Sequence, residues 1–159
     1  MTDMLVKLYD LPPVPPAPPP AIVRRMLAPE KHLLIPWIAD TFSVGWADEC
    51  NAACSRQPPA CFVAVADGRF VGFCVYDGTA RGLLGPIGVA PALRRCGLGA
   101  ALLHAALADM RARGYAYAVV GWVQDEAFFA DAAGAVPIPG SEPGLYRGLL
   151  RDPGRRVGG

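Results

Sequence analysis

The sequence predicts a single α/β domain, a mixed sheet with helices on its faces. Three observations carry that expectation. Short apolar runs bounded by turn residues alternate with stretches of helical period, in the order β-β-α-α-β-β-β-α-β-α-β-β. Asp67-Gly68 lies between two apolar runs and marks a tight hairpin. Leu103, Ala106, Leu107 and Met110 recur at three- and four-residue steps, opposite His104, Asp109, Arg111 and Arg113, as on an amphipathic helix. A chain of 159 residues, 53% hydrophobic and 18% charged, is enough for one core without a metal or disulfide staple.

Each element has its own local reason. Residues 4–11 (MLVKLYDL) alternate apolar and polar side chains, the pattern of a half-buried strand. Residues 12–20 (PPVPPAPPP) hold seven prolines and predict a stiff polyproline II spacer. It reads as a crossing that carries the first strand to its neighbour, in preference to a ligand for proline-recognising modules. Residues 21–27 (AIVRRML) predict the next strand. Pro29 and Glu30 open a helix over 29–41, with Leu33, Leu34, Trp37 and Ile38 on one side. A second helix over 44–56 carries Trp46, Glu49, Cys50 and Cys54 and stops at Pro58-Pro59. Residues 61–66 and 69–77 are the arms of the hairpin, and 82–89 is a strand that Pro86 marks for a bulge or an edge. The amphipathic helix spans 98–113 and stops at Gly114. A buried strand over 115–123, a short helix over 125–133 and strands over 136–138 and 145–150 complete the domain. The chain thus divides into a strand and Pro-rich crossing (1–20), the main domain (21–150) and a flexible tail (151–159).

Composition excludes several function classes. A net charge of +1 gives no basic field to hold nucleic acid or an anionic membrane. No apolar run reaches the ~18 residues of a membrane span. The five cysteines, an odd count behind a start that does not read as a secretory leader, point to reduced thiols and a cytoplasmic setting. Cys50 and Cys54 lie four apart on one helix face, half of a metal site. His32 and His104 are distant and no second Cys pair has metal spacing, so no metal is expected. Both histidines are expected to face solvent.

The segment 85–103 (GPIGVAPALRRCGLGAALL) carries the chemistry. A strand ends at Val89, a loop brings Arg94 and Arg95, and Gly97-Leu98-Gly99-Ala100 opens the long helix. Glycines admit a close ligand, and a helix start offers unpaired N–H groups and a positive dipole end. Together they make a pyrophosphate cradle with arginine charge beside it. The stretch lacks the third glycine of a dinucleotide-binding turn, and no Gly-Lys-Ser/Thr follows as in a Walker loop. The plain alternative is an ordinary helix start with two surface arginines.

Arg94-Arg95-Cys96-Gly97-Leu98-Gly99 resembles the R/Q-x-x-G-x-G/A acyl-CoA signature of the GNAT superfamily of N-acetyltransferases, and the likeness, to a bacterial-type branch, extends over residues 21–150. It implies a mixed, mostly antiparallel sheet of about seven strands flanked by about four helices. It also implies that Arg94, Arg95, Cys96, Gly97, Leu98, Gly99 and Ala100 bind the CoA pyrophosphate, mainly through backbone amides. Ile87, Gly88 and Val89 then pair with the pantetheine arm, and the Val89 N–H polarises the thioester carbonyl. The strand over 115–123 splays from that over 82–89 to open a slot. Where such enzymes often carry a proton-donating Tyr this chain has Phe128-Phe129, with Phe129 among the expected cofactor contacts and Tyr146 the candidate acid in its place. A thiol of pKa ~8.5 leaves as thiolate at a cost of ~2 kcal/mol at pH 7, whereas an ammonium of pKa ~10.4 needs ~4.6 kcal/mol to lose its proton. The base therefore matters more than the acid.

Candidate bases are Glu49, Glu126 and Glu142. The layout implied by the resemblance favours Glu49, with Trp46 one helical turn away as a wall of the acceptor pocket. The plain alternative makes Glu49 a solvated residue and Trp46 core. The implied activity is transfer of an acetyl group from acetyl-CoA to a primary amine of a small molecule, by direct attack in a ternary complex. A non-catalytic acyl-CoA-binding module is the alternative, and an interaction protein working through its Pro-rich segment a third. Exposed sheet edges point to a homodimer.

Overall fold

Seven strands join into one sheet in the order β2-β3-β4-β5-β6-β1-β7 in the computed structural model, which describes residues 1–14 and 16–153. The strands are β1 (Met4–Lys7), β2 (Ile22–Arg25), β3 (Cys61–Ala66), β4 (Arg69–Tyr76), β5 (Leu83–Val89), β6 (Tyr117–Val120) and β7 (Val136–Pro137). The helices are α1 (Lys31–Thr41), α2 (Val44–Cys54), α3 (Leu98–Ala112) and α4 (Glu126–Ala133). Strand pairing is antiparallel except between β5 and β6, which α3 connects by crossing the sheet.

On β4, Phe73 meets Trp37 of α1 and Trp46 of α2. A Cβ at the adjacent Gly72 would instead meet Leu102 of α3. Successive strand residues face opposite ways, so α1 and α2 cover one face and α3 the other. α3 buries Leu98, Leu102, Leu103, Ala106, Leu107 and Met110, the stripe its period predicts. The Pro86 signal is realised as a bulge: Cys74 pairs with Ile87 but Tyr76 with Leu84.

The structure differs from the expected elements in several places. β1 does not pair with β2. It lies between β6 and β7, with Met4 opposite Val120 and Pro137. Alternation fixed which face Met4 and Val6 bury, at 1% and 0% exposure, but not which strands flank them. β1 and β2 stand five strand spacings apart, about 24 Å. Residues 8–21 join them, and a chain of that length extends to about 45 Å, enough to cross the sheet. Residues 145–150 form no strand. Gly144 (φ 64°) and Gly148 (φ 80°) interrupt them, Gly144–Tyr146 is a 3-10 turn, and Leu149 and Leu150 are exposed. β6 is also shorter than residues 115–123. Of the expected tail, residues 154–159 lie outside the described residues.

Asp109 was expected on the solvent side of its helix, but its side chain is only 15% exposed. It accepts hydrogen bonds from Arg25 Nη2 (2.5 Å), Arg113 Nε (3.2 Å) and the Tyr76 hydroxyl. It thereby ties α3 to β2 and β4. His104, also expected in solvent, is part-buried and hydrogen-bonds the Ala132 carbonyl of α4; His32 is exposed as expected.

Candidate functional site

β5 and β6 pair only at Leu83–Val119 and Leu84–Val120. Beyond this fork, residues 85–89 leave one strand edge without β6. The ladder shows which groups face the gap. Ala90 N–H donates to the Val71 carbonyl at 2.8 Å, which makes that pair hydrogen-bonded, and Gly88–Phe73, two residues along, has the same phase. Ile87 and Val89 alternate with them, so their N–H and C=O groups point away from β4 into the gap. The Val89 carbonyl there accepts from Arg94 Nε at 3.1 Å. Gly88 is buried against the opposite face. A Cβ on it would lie 2.7 Å from the Phe42 ring and 2.9 Å from that of Phe73, so glycine alone fits.

β5 runs through a short 3-10 turn (Pro91–Leu93) into the start of α3. Gly97 precedes the helix at φ 89°, a left-handed conformation in which L side chains are strained. Ala101 N–H closes the first helical turn on the Gly97 carbonyl, so the amides of Leu98, Gly99 and Ala100 are the first-turn donors the helix leaves over. Arg94, Arg95, Cys96 and Gly97 are exposed around them, while the Leu98 side chain enters the core. Cys96 Sγ lies 2.7 Å from the Leu93 carbonyl and helps hold the loop. Phe129 is buried at 7% exposure. Its half-buried neighbour Phe128 is the ring beside the cradle, 3.4 Å from where a Cβ of Gly99 would stand. A two-residue aromatic run on an amphipathic helix could have suggested this split, since one face must turn inward.

The sequence left Tyr146 without a position; the fold brings it to Glu49. The Tyr146 hydroxyl donates to Glu49 Oε1, as does Thr79 Oγ1. The Tyr146 ring stands at the fork, 3.6 Å from the Cβ position of Gly121, and packs on Trp122 with centroids 4.5 Å apart. Burial, followed by the hydrogen bond to Glu49, pushes the Tyr146 phenol well above its ordinary range. Trp46 stacks on Phe42 at 5.4 Å and is half-buried, joining an aromatic group with Trp37 and Phe73 on the same side of the sheet. Of the other carboxylates, Glu126 is exposed at the start of α4, and Glu142 pairs with the N-terminal ammonium at 2.5 Å. Cys61 and Met26 join Cys50 and Cys54, a convergence the sequence spacing did not reveal.

The gap, the amide-lined helix start and the Glu49–Tyr146 pair can hold an extended chain ending in a polyanion and move a proton near its other end. No helix of the described residues is long and apolar enough to cross a membrane. Comparison with known proteins agrees with this geometry. The model of the acetyltransferase (GNAT) family matches residues 30–132. No curated protein matches the chain. Among solved structures, a GCN5-related N-acetyltransferase from Sphaerobacter thermophilus superposes with a TM-score of 0.69 at 19% identity, covering 86% of this chain and 48% of its own. A GNAT family acetyltransferase from Brucella melitensis in complex with acetyl-CoA gives a TM-score of 0.55 at 21% identity, covering 69% of this chain and 80% of its own. The chain therefore spans about half the length of the first of these and shares the fold of both.

Proposed function

We propose, from the premise that the chain belongs to the acetyltransferase (GNAT) family, that it moves an acetyl group from acetyl-CoA to a primary amine of a small molecule, by direct attack in a ternary complex. The observation that carries this reading is the unpaired edge of β5, which leads within a few residues into the amides that open α3. An extended pantetheine arm adds to that edge as a strand would, through Ile87 and Val89, with Gly88 giving room on the other face. The pyrophosphate then meets the N–H groups of Gly97 to Ala100, with Arg94 and Arg95 adding charge and Cys96 holding the loop. The Val89 N–H stabilises the oxyanion as the amine attacks. Trp46 and Glu49 take the acceptor side.

Glu49 removes the ammonium proton, and Tyr146 protonates the departing thiolate. A phenol pushed upward is a weak acid toward a thiol of pKa ~8.5, so that transfer alone is uphill. The hydrogen bond between the two side chains resolves this: as Tyr146 gives up its proton it recovers one from Glu49. The relay passes one proton of the ammonium to the thiolate; the second leaves nitrogen for solvent as the amide forms, and both residues end as they began. The free thiols support a reducing, cytoplasmic setting. The open edge at β2, where Ile22 is 65% exposed, supports a homodimer.

The reading is tested with acetyl-CoA and a panel of small primary amines, following free CoA with a thiol reagent. Amine-dependent release of CoA is the expected result. Binding of acetyl-CoA without turnover on any amine would leave a non-catalytic acyl-CoA-binding module.

A further inference from the structure

On the side of α2 turned toward β3, four sulfurs gather that the reaction proposed above does not use. Cys50 and Cys54 lie one helical turn apart, with Sγ atoms 3.8 Å apart. Cys61, the first residue of β3, sets its Sγ 3.9 Å from that of Cys50. All three Sγ atoms lie within 4.8 Å of one another. Met26, just past β2, closes the group with Sδ 3.3 Å from Cys54 Sγ. Cys50 and Cys61 are fully buried and Met26 is 1% exposed, while Cys54 at 7% keeps one edge toward solvent. No disulfide joins any of them.

Packing alone asks only for small apolar volume here, which alanine or valine supplies as well as cysteine. An ion bonded to thiolates at about 2.3 Å holds its sulfurs about 3.8–4.0 Å apart, whether in tetrahedral or trigonal geometry. The two Sγ separations around Cys50 already have that spacing. The donor set is sulfur throughout and includes a neutral thioether, which selects a soft cation over the hard ions that seek oxygen. A thioether suits monovalent copper better than zinc. Several thiolates around a single positive charge leave the site net negative, and Lys31 stands beside it, its Nζ 3.1 Å from Oγ of Ser55, the residue after Cys54.

We propose that Cys50, Cys54 and Cys61, with Met26, form a buried binding site for monovalent copper. The ion enters at the Cys54 edge. Each ligating thiol releases its proton to solvent as its Cu–S bond forms, and copper keeps its oxidation state.

The test is anaerobic titration with Cu(I) against a competing bicinchoninate chelator, and separately with zinc. The protein carries Cys96→Ser, which removes the one exposed thiol. One Cu(I) per chain is expected, with an X-ray absorption spectrum showing a sulfur-only shell near ~2.3 Å. Cys50→Ala and Cys61→Ala should each weaken retention about a hundredfold or more. Met26→Leu, which keeps volume, should weaken it about tenfold. If a cysteine variant does not fold, Met26→Leu and the absorption spectrum of the parent decide. Failure to hold Cu(I) against the chelator, or retention unchanged by these substitutions, overturns the proposal and leaves the thiols as apolar packing. Zinc held by these residues while Cu(I) is not retained overturns the assignment to copper.

Discussion

Glu49→Gln is expected to lower kcat/KM for acetyl transfer by about 10²–10⁴, the usual contribution of a positioned base. That corresponds to about 3–5 kcal/mol of lost transition-state stabilisation. The amide keeps the shape of the side chain and an oxygen to accept from Tyr146 and Thr79. Stability should therefore stay within about 0.5 kcal/mol, and acetyl-CoA affinity should not change. Tyr146→Phe should cost less, about tenfold, because a thiolate leaves unprotonated at a penalty of only ~2 kcal/mol at pH 7. If the pair works as a relay, the double variant will lose little more than Glu49→Gln alone. Initial rates of CoA release for the three variants decide this. A rate unaffected by Glu49→Gln would mean that water, not this carboxylate, takes the ammonium proton.

Asp109→Ala is expected to destabilise the fold strongly, although Asp109 is a charged residue outside the buried stripe of α3. It leaves the Arg25 guanidinium with the Pro59 carbonyl, at 2.7 Å, and the face of the Phe62 ring but no counter-charge, and removes the acceptor of the Tyr76 hydroxyl. Stranding a part-buried charge and a buried hydroxyl together should cost about 2–4 kcal/mol, discounted for the remaining exposure of Arg25. For a chain of this length that is a fall in Tm of about 4–16 °C. The pH dependence follows from the same contacts. Burial opposes ionisation of Asp109, but the hydrogen bonds from Arg25 and Tyr76, with the charges of Arg25 and Arg113, outweigh it and hold its pKa below the usual carboxylate value. A depressed acid contributes stability that is full above its unfolded pKa of about 3.9 and lost as pH falls through the folded value. Thermal melts from pH 7 down to pH 3 should show this acid loss in the parent and a shallower one in Asp109→Ala. Parallel curves would mean that Asp109 ionises alike in the folded and unfolded chain.

What the sequence disclosed follows from which forces act locally. The hairpin at Asp67-Gly68, the boundaries of β3 and α3, and the glycine-rich helix start rest on turn chemistry and side-chain period, which neighbouring residues decide. The place of β1 does not. Its alternation fits any strand with one buried face, and the flanking strands are more than a hundred residues away. Residues 145–150 looked like a strand by apolar content, yet Gly144 and Gly148 govern the backbone there. Asp109 looked solvated because a helical period cannot see the Arg25 that reaches it from β2. Glu49 and Tyr146 could each be named from their chemistry, but their hydrogen bond joins residues 97 apart in the chain. The thiol group is the same case: one helical turn relates Cys50 to Cys54, and only the packing of α2 on β3 adds Cys61.

If the chain transfers acetyl groups as proposed, the free edge of β5 and the start of α3 hold acetyl-CoA. Calorimetric titration of the chain and of Arg94→Ala with acetyl-CoA tests it most directly. Micromolar binding is expected, weakened about tenfold, or ~1.4 kcal/mol, when the guanidinium beside the cradle is removed. No heat of binding at millimolar acetyl-CoA would contradict it.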